Sequence, residues 1–263
     1  MGKQAVIPVA LAIDGLGEDA RAAFGVAAEA GYGGVSFATN HAELTPDELG
    51  QSGRRDLKRI LAGKHLEIAA IRIASPRTGL ADPGTIDRTM ENARKGMLLA
   101  QDLGVQTVAL NVGNLADSKV PMETVVAAIR ELAQHADAAG LTIAVGSETA
   151  TILGGVLKRV DYERARVNFD TARIIGAGED PLKIAESLAE SIGQLTATDA
   201  VRAGQSVRAT FLGEGQLPLV ELMEILQDIG FRGPTVVDVR DLPDGGEGAR
   251  HAAGVLRRLL GET

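Results

Sequence analysis

The sequence predicts an α/β protein built as one (β/α)8 barrel, a TIM barrel. Two observations predict it. An amphipathic, Ala/Leu-rich segment that ends at glycine and runs into a β-branched stretch recurs along the chain, and eight such stretches can be counted. The length agrees, since 263 residues lie close to the ~250 typical of one barrel of this kind. No Ser/Gly/Pro-rich linker and no abrupt change in charge divides the chain, so residues 1–263 read as a single domain.

The helix-to-strand junctions are legible at Ala28-Glu29-Ala30-Gly31-Tyr32, Gln101-Asp102-Leu103-Gly104-Val105, Asp137-Ala138-Ala139-Gly140-Leu141 and Gln227-Asp228-Ile229-Gly230-Phe231. In each, glycine takes up the left-handed conformation that ends a helix at little cost. The strands read between them are Val6–Ile13, Gly34–Phe37, Glu67–Ile73, Thr107–Val112, Thr142–Gly146, Arg166–Asp170, Gly193–Thr198 and Thr235–Val239. Several are almost continuously apolar, as in parallel strands buried on both faces. An open doubly wound sheet would suit the same alternation, but no Gly-x-Gly-x-x-Gly and no Walker-type loop joins a strand to a helix; Gly213-Glu214-Gly215 lacks the third glycine.

Composition excludes several functions. A net charge of −8 and an aromatic content of 3% argue against wrapping a phosphate backbone or stacking bases, so no nucleic-acid partner is expected. The one basic cluster, Arg54, Arg55, Lys58 and Arg59, has the spacing of a solvated helix face. Without cysteine there are no disulfides, thiolate ligands or cysteine nucleophiles. The apolar run at the N-terminus is too short for a signal peptide or membrane span. The expectation is a cytoplasmic protein with no membrane partner, and homo-oligomerisation is left open.

In such a barrel, a polar residue that interrupts an apolar strand near its C-terminal end points to the mouth, where ligands bind. Asn111, Glu148, Asp170, Thr196 to Asp199 and Asp238 occupy such places. Clustered carboxylates repel unless a cation sits among them, which suggests a hard divalent metal, Mg²⁺ or Mn²⁺. The local alternative is that each acid caps the next loop or pairs with a nearby arginine. Arg72, Arg173, Arg208 and Arg240 fit the same mouth and would clamp a carboxylate or phosphate, or pair within the protein. Of the histidines, only His41 lies near the mouth.

Ala30-Gly31-Tyr32-Gly33-Gly34-Val35, Ala100-Gln101-Asp102-Leu103-Gly104, Ser147-Glu148-Thr149, Asn168-Phe169-Asp170-Thr171, Gly178-Glu179-Asp180-Pro181 and Leu212-Gly213-Glu214-Gly215 together resemble the sugar phosphate isomerase/epimerase family of xylose-isomerase-like barrels. The resemblance implies one divalent metal held by Glu, Asp, His and Glu from four strands, two of the acids also moving protons. Glu148 and Asp170 match. The histidine position falls at Thr196, in Thr196-Ala197-Thr198-Asp199, and the last glutamate is shortened to Asp238; Ser36 stands where many relatives have Glu. A threonine hydroxyl ligates metal far more weakly than imidazole.

The resemblance therefore implies a metal-dependent isomerase or epimerase of a small-molecule sugar or polyol. Glu148 and Asp238 would be catalytic; Glu148, Asp170, Asp238 and, weakly, Thr196 would hold the metal; Arg72, Asn111, Arg173, Arg208 and Asp199 would bind substrate. The alternatives are a keto-polyol dehydratase, which starts from the same enolate, and a barrel that has lost its metal and binds a ligand or partner without catalysis. Endonuclease-like hydrolysis with several metals lacks the histidines it would need. The stretch Asp241 to Glu247 reads as the last surface loop, with a lid over the mouth as the alternative.

Overall fold

The computed structural model describes residues 9–260. Its strands are β1 (Val9–Ala12), β2 (Gly34–Ala38), β3 (Glu67–Ile73), β4 (Thr107–Asn111), β5 (Thr142–Gly146), β6 (Ala165–Asp170), β7 (Ile192–Ala197), β8 (Asp199–Ala203), β9 (Ser206–Thr210) and β10 (Thr235–Asp238). Eight of them are parallel and close into a barrel in the order β1, β10, β7, β6, β5, β4, β3, β2. All eight expected strands are therefore present, with ends shifted by a few residues; positions 6–8 of the first lie outside the described residues. The closed ring disposes of the open doubly wound sheet.

The helices are α1 (Ala20–Ala30), α2 (Gln51–Ala62), α3 (Ile86–Leu103), α4 (Met122–Ala138), α5 (Ala150–Val160), α6 (Thr171–Ala177), α7 (Pro181–Leu188), α8 (Leu219–Asp228) and α9 (Gly245–Leu260). The four junction glycines, Gly31, Gly104, Gly140 and Gly230, all have positive φ. After each, the next amide reaches back to a helix carbonyl: Tyr32 to Ala27, Val105 to Ala100, Leu141 to Ala136 and Phe231 to Leu226, at 2.7–3.0 Å. This pattern satisfies carbonyls that the helix end would otherwise strand, and it turns the chain toward the barrel.

Strand alternation then divides the side chains between two environments. Leu11, Val35, Phe37, Ile71, Ile73, Val108, Leu110, Ile143, Val145, Val167, Phe169, Leu195 and Val237 belong to the main core between barrel and helices. The inward positions carry much smaller groups, and Ala12, Ala70 and Val236 form a separate cluster inside the barrel. Branched side chains usually fill a barrel of this size in layers. Here the upper interior is left as a cavity.

The basic cluster behaves as the sequence suggested. Arg54 pairs with Asp102, Lys58 donates to the Asp102 carbonyl at 3.0 Å and Arg59 pairs with Asp56 at 3.0 Å, all on or beside α2. Asp244 accepts from the Glu247 amide at 2.8 Å and so caps the start of α9; the last loop is short and anchored rather than a lid. Among the described residues no helix is long and apolar enough to cross a membrane.

One element was not expected. After β7 the chain makes an antiparallel hairpin, β8 with β9, outside the barrel. Its signal is a two-residue turn, Gly204-Gln205, with Gly204 at φ 63° between runs rich in β-branched and charged residues. Asp199 anchors it. The side chain is fully buried, and it accepts amides from Ala200 (2.8 Å), Leu217 (2.9 Å), Gly213 (3.0 Å) and Gly215 (2.9 Å). A Cβ on Gly215 would lie 2.2 Å from Asp199 Oδ1, so the loop has no room for a side chain there. Replacing Asp199 with alanine leaves four amides without their acceptor. The expected loss is roughly 3 kcal/mol, read as a lower urea midpoint with an unchanged slope.

Candidate active site

The register of the barrel strands sets the level of the mouth. Thr196 is paired with both Asp170 and Val236, Ala12 with both Asp238 and Ser36, and Asn111 with Gly146. Residues two apart on one strand share a face. Asn168 and Asp170, Gln194 and Thr196, and Val236 and Asp238 therefore all line one cavity of about 290 Å³. Arg72, Arg173 and Arg240 project into it from the rim, with Arg77 exposed at its edge.

The acids in this cavity are each engaged by an arginine. Arg240 Nε donates to Asp238 Oδ1 and Oδ2 at 2.8 and 2.9 Å, and Nη2 adds a further bond to Oδ2. The Arg240 amide also donates to Oδ1 at 3.1 Å. Arg173 bridges two acids, donating from Nε to Asp170 Oδ2 at 3.1 Å and from Nη1 to Glu148 Oε1. Asp170 in addition caps α6, accepting from the Arg173 amide at 3.2 Å. Arg72 Nη2 lies 3.2 Å from Asp14 Oδ2, and Asp14 Oδ1 accepts from the Ala38 amide at 2.9 Å. The local alternative of caps and arginine pairs is thus realised at every acid in the site.

Burial and charge push the two cavity aspartates in opposite directions. Burial raises the Asp170 carboxyl, Arg173 and its amide offset this in part, the negative charge of Asp238 raises it further, and the net shift is upward. Burial also raises Asp238, but the bonds and charge of Arg240 outweigh it and hold Asp238 below the usual carboxylate range. Their side chains are 17% and 10% exposed, so both open to the cavity while most of each surface is dry.

A neutral polar chain forms the floor. Gln194 Nε2 donates to Thr196 Oγ1 at 3.2 Å, and Thr196 Oγ1 donates to Asn168 Oδ1 at 2.8 Å. Gln194 Oε1 is buried without a partner. A buried acceptor left in this state is costly, and its residue lines the cavity. Gln194, Asn168 and Asp14 were missed as site residues in the sequence; the alternate-residue pairs Asn168/Asp170 and Gln194/Thr196 were the available signal.

The structure separates the residues expected at the site. It brings together Arg72, Asn111, Asp170, Arg173, Thr196 and Asp238. Asn111 Oδ1 is occupied by the Gly113 amide at 2.7 Å. Glu148 is held by Arg173, which lines the cavity, but is not itself among the lining residues. Asp199 is spent on the hairpin loop, and Arg208 is exposed on β9, away from the cavity. His41 is buried in the loop after β2 and is also outside the lining.

These residues do not fit a resident divalent metal. Among the described residues no group of three or more His, Cys, Asp or Glu side chains is placed to hold one. Asp170 Oδ2, Glu148 Oε1 and both Asp238 oxygens accept from Arg173 or Arg240, and the Thr196 hydroxyl is committed to Asn168 and Gln194.

A family model described as xylose isomerase-like TIM barrel matches residues 24–259. Among solved structures, a xylose isomerase domain protein from Planctomyces limnophilus superposes with a TM-score of 0.83 at 20% identity, covering 98% of each chain. A xylose isomerase-like TIM barrel protein from Mycobacterium smegmatis, in complex with magnesium, gives 0.80 at 16% identity over 99% of this chain and 98% of that one. D-Psicose 3-epimerase from Clostridium cellulolyticum H10, with D-tagatose, gives 0.75 at 17% identity over 97% and 98%. At these identities the likeness is one of fold. No curated protein matches the sequence.

A carboxylate with a depressed folded pKa adds stability that is present above its unfolded value, about 3.9, and is lost as pH falls through the folded value. Asp238→Asn is therefore expected to cost about 2 kcal/mol at pH 7, because it leaves the Arg240 fork uncompensated. The difference from the unsubstituted protein should shrink as denaturation is repeated below about pH 4.

Proposed function

The chain belongs to the xylose isomerase-like TIM barrel family, and from that premise we propose that it is an isomerase or epimerase of a small sugar or polyol, acting by proton transfer next to a carbonyl. The observation that carries this reading is the pairing, in one small polar cavity at the C-terminal mouth, of Asp170 with Arg173 and of Asp238 with Arg240, beside the Arg72 guanidinium held by Asp14. The fold-level likeness to an epimerase that binds D-tagatose supports the class of substrate.

Asp170 takes the role of proton carrier. It faces the cavity, and its raised pKa brings it closer to the range in which a carboxyl both accepts and returns a proton. Asp238 stays ionised and holds Arg240 in place. Arg72 commits one nitrogen to Asp14, which leaves the rest of its five N–H donors for the oxygen that gains charge in the enediolate. The floor from Gln194 to Asn168 receives hydroxyls. This assignment departs from the sequence-based one, in which Glu148 and Asp238 moved the proton around a metal, because Glu148 stands outside the lining.

The saturation of every acid by an arginine favours a second reading, a barrel that binds a small ligand without turnover. One experiment addresses both. Ketoses and keto-polyols of three to six carbons are incubated with the protein in D₂O and followed by proton NMR. Exchange at the carbon next to the carbonyl is expected, falling by at least ~100-fold in Asp170→Asn while circular dichroism stays the same. Loss of a hydroxyl in the same spectra would mark the dehydratase branch. Absence of exchange across the panel would leave the binding barrel.

A further inference from the structure

We propose that Arg173 and Arg240 are the resident cations of this barrel, so that its acid cluster is offset from within to the extent a divalent ion would offset it, and takes up no divalent metal. The argument begins with charge. Glu148, Asp170 and Asp238 bring three negative charges to one end of the barrel, and carboxylates so placed need a cation nearby. Two guanidiniums supply the same charge as one divalent ion. They are also placed on the oxygens such an ion would need: Arg240 spans both oxygens of Asp238, while Arg173 joins Asp170 to Glu148 across the gap between β5 and β6.

Sequence spacing makes this placement local and robust. Arg173 follows Asp170 by one helical turn, on the helix that Asp170 itself caps. Arg240 follows Asp238 by two residues, and its own amide fixes the same carboxylate. Neither pair depends on a distant loop. A metal entering the cluster would have to displace both forks and leave two guanidiniums without acceptors in a half-buried site. The fourth position that could have tipped the balance is Thr196, whose hydroxyl is already bonded on both sides.

The substitution has a chemical consequence. A metal ion binds lone pairs and acidifies a coordinated hydroxyl, whereas a guanidinium only donates hydrogen bonds. The ligand atoms that face Arg72, Arg173 and Arg240 must then be acceptors, such as a carbonyl or carboxylate oxygen. This inference concerns the cation and stands or falls separately from turnover.

The test is Mn²⁺ titration, by calorimetry and by electron paramagnetic resonance, of chelator-treated protein and of the Arg173→Gln, Arg240→Gln and doubly substituted forms. The unsubstituted protein is expected to bind Mn²⁺ no more tightly than about millimolar, with a melting temperature that neither Mn²⁺ nor EDTA moves. The double form is expected to gain affinity by about tenfold or more as the carboxylates are freed. If the double form does not fold, the single substitutions serve, each with a smaller gain. Micromolar binding to the unsubstituted protein that disappears in Asp170→Asn overturns the proposal. So does a folded set of variants that gains no Mn²⁺ affinity, because the arginines would then not be what keeps the metal out.

Discussion

Closing eight parallel strands into a ring sends every second side chain inward, and the size of those inward groups decides whether the barrel is a packed core or a vessel. In this chain the outward set is branched and aromatic, and it carries the packing against the helices. The inward set begins with alanines and ends, toward the mouth, in amides, a hydroxyl and acids. Stability is thus concentrated between barrel and helices. The interior gives up some apolar burial, and the cavity occupies the space.

Such a cavity cannot hold its charges loosely. Desolvating a carboxylate is expensive, and breaking a buried ion pair on one side leaves the other charge uncompensated. Each acid near the mouth is therefore coupled to an arginine, and the two cavity aspartates end with opposite shifts although both are buried. The difference lies in the partner. Arg240 gives its whole fork to Asp238, while Arg173 is divided between Asp170 and Glu148. Burial raises both carboxyls, and the unequal sharing of guanidiniums is what separates their net shifts.

The hairpin after β7 illustrates a different use of an acid. Asp199 lies close in sequence to Thr196 and Thr198, yet it serves four backbone amides of a glycine-rich turn rather than the cavity. A carboxylate with four amide donors is satisfied, and it fixes the connection from β8–β9 to α8. Position near a strand end did not by itself place this residue at the mouth, because the chain had already left the barrel at β8.

The sequence by itself determined the eight strands, the helix stops at Gly31, Gly104, Gly140 and Gly230, and the face on which Asp170, Thr196 and Asp238 would lie. These follow from local rules: a period of two in strands, a left-handed stop after helices, and polar interruptions at strand ends. It could not rank the partners of the acids, since an arginine three residues along a helix and a metal at the centre both answer the same charge. Nor could it show that one arginine, Arg173, would be shared between Glu148 and Asp170. Only the tertiary structure decided those points, because side-chain pairing across strands depends on register and distance, which no single stretch of sequence contains.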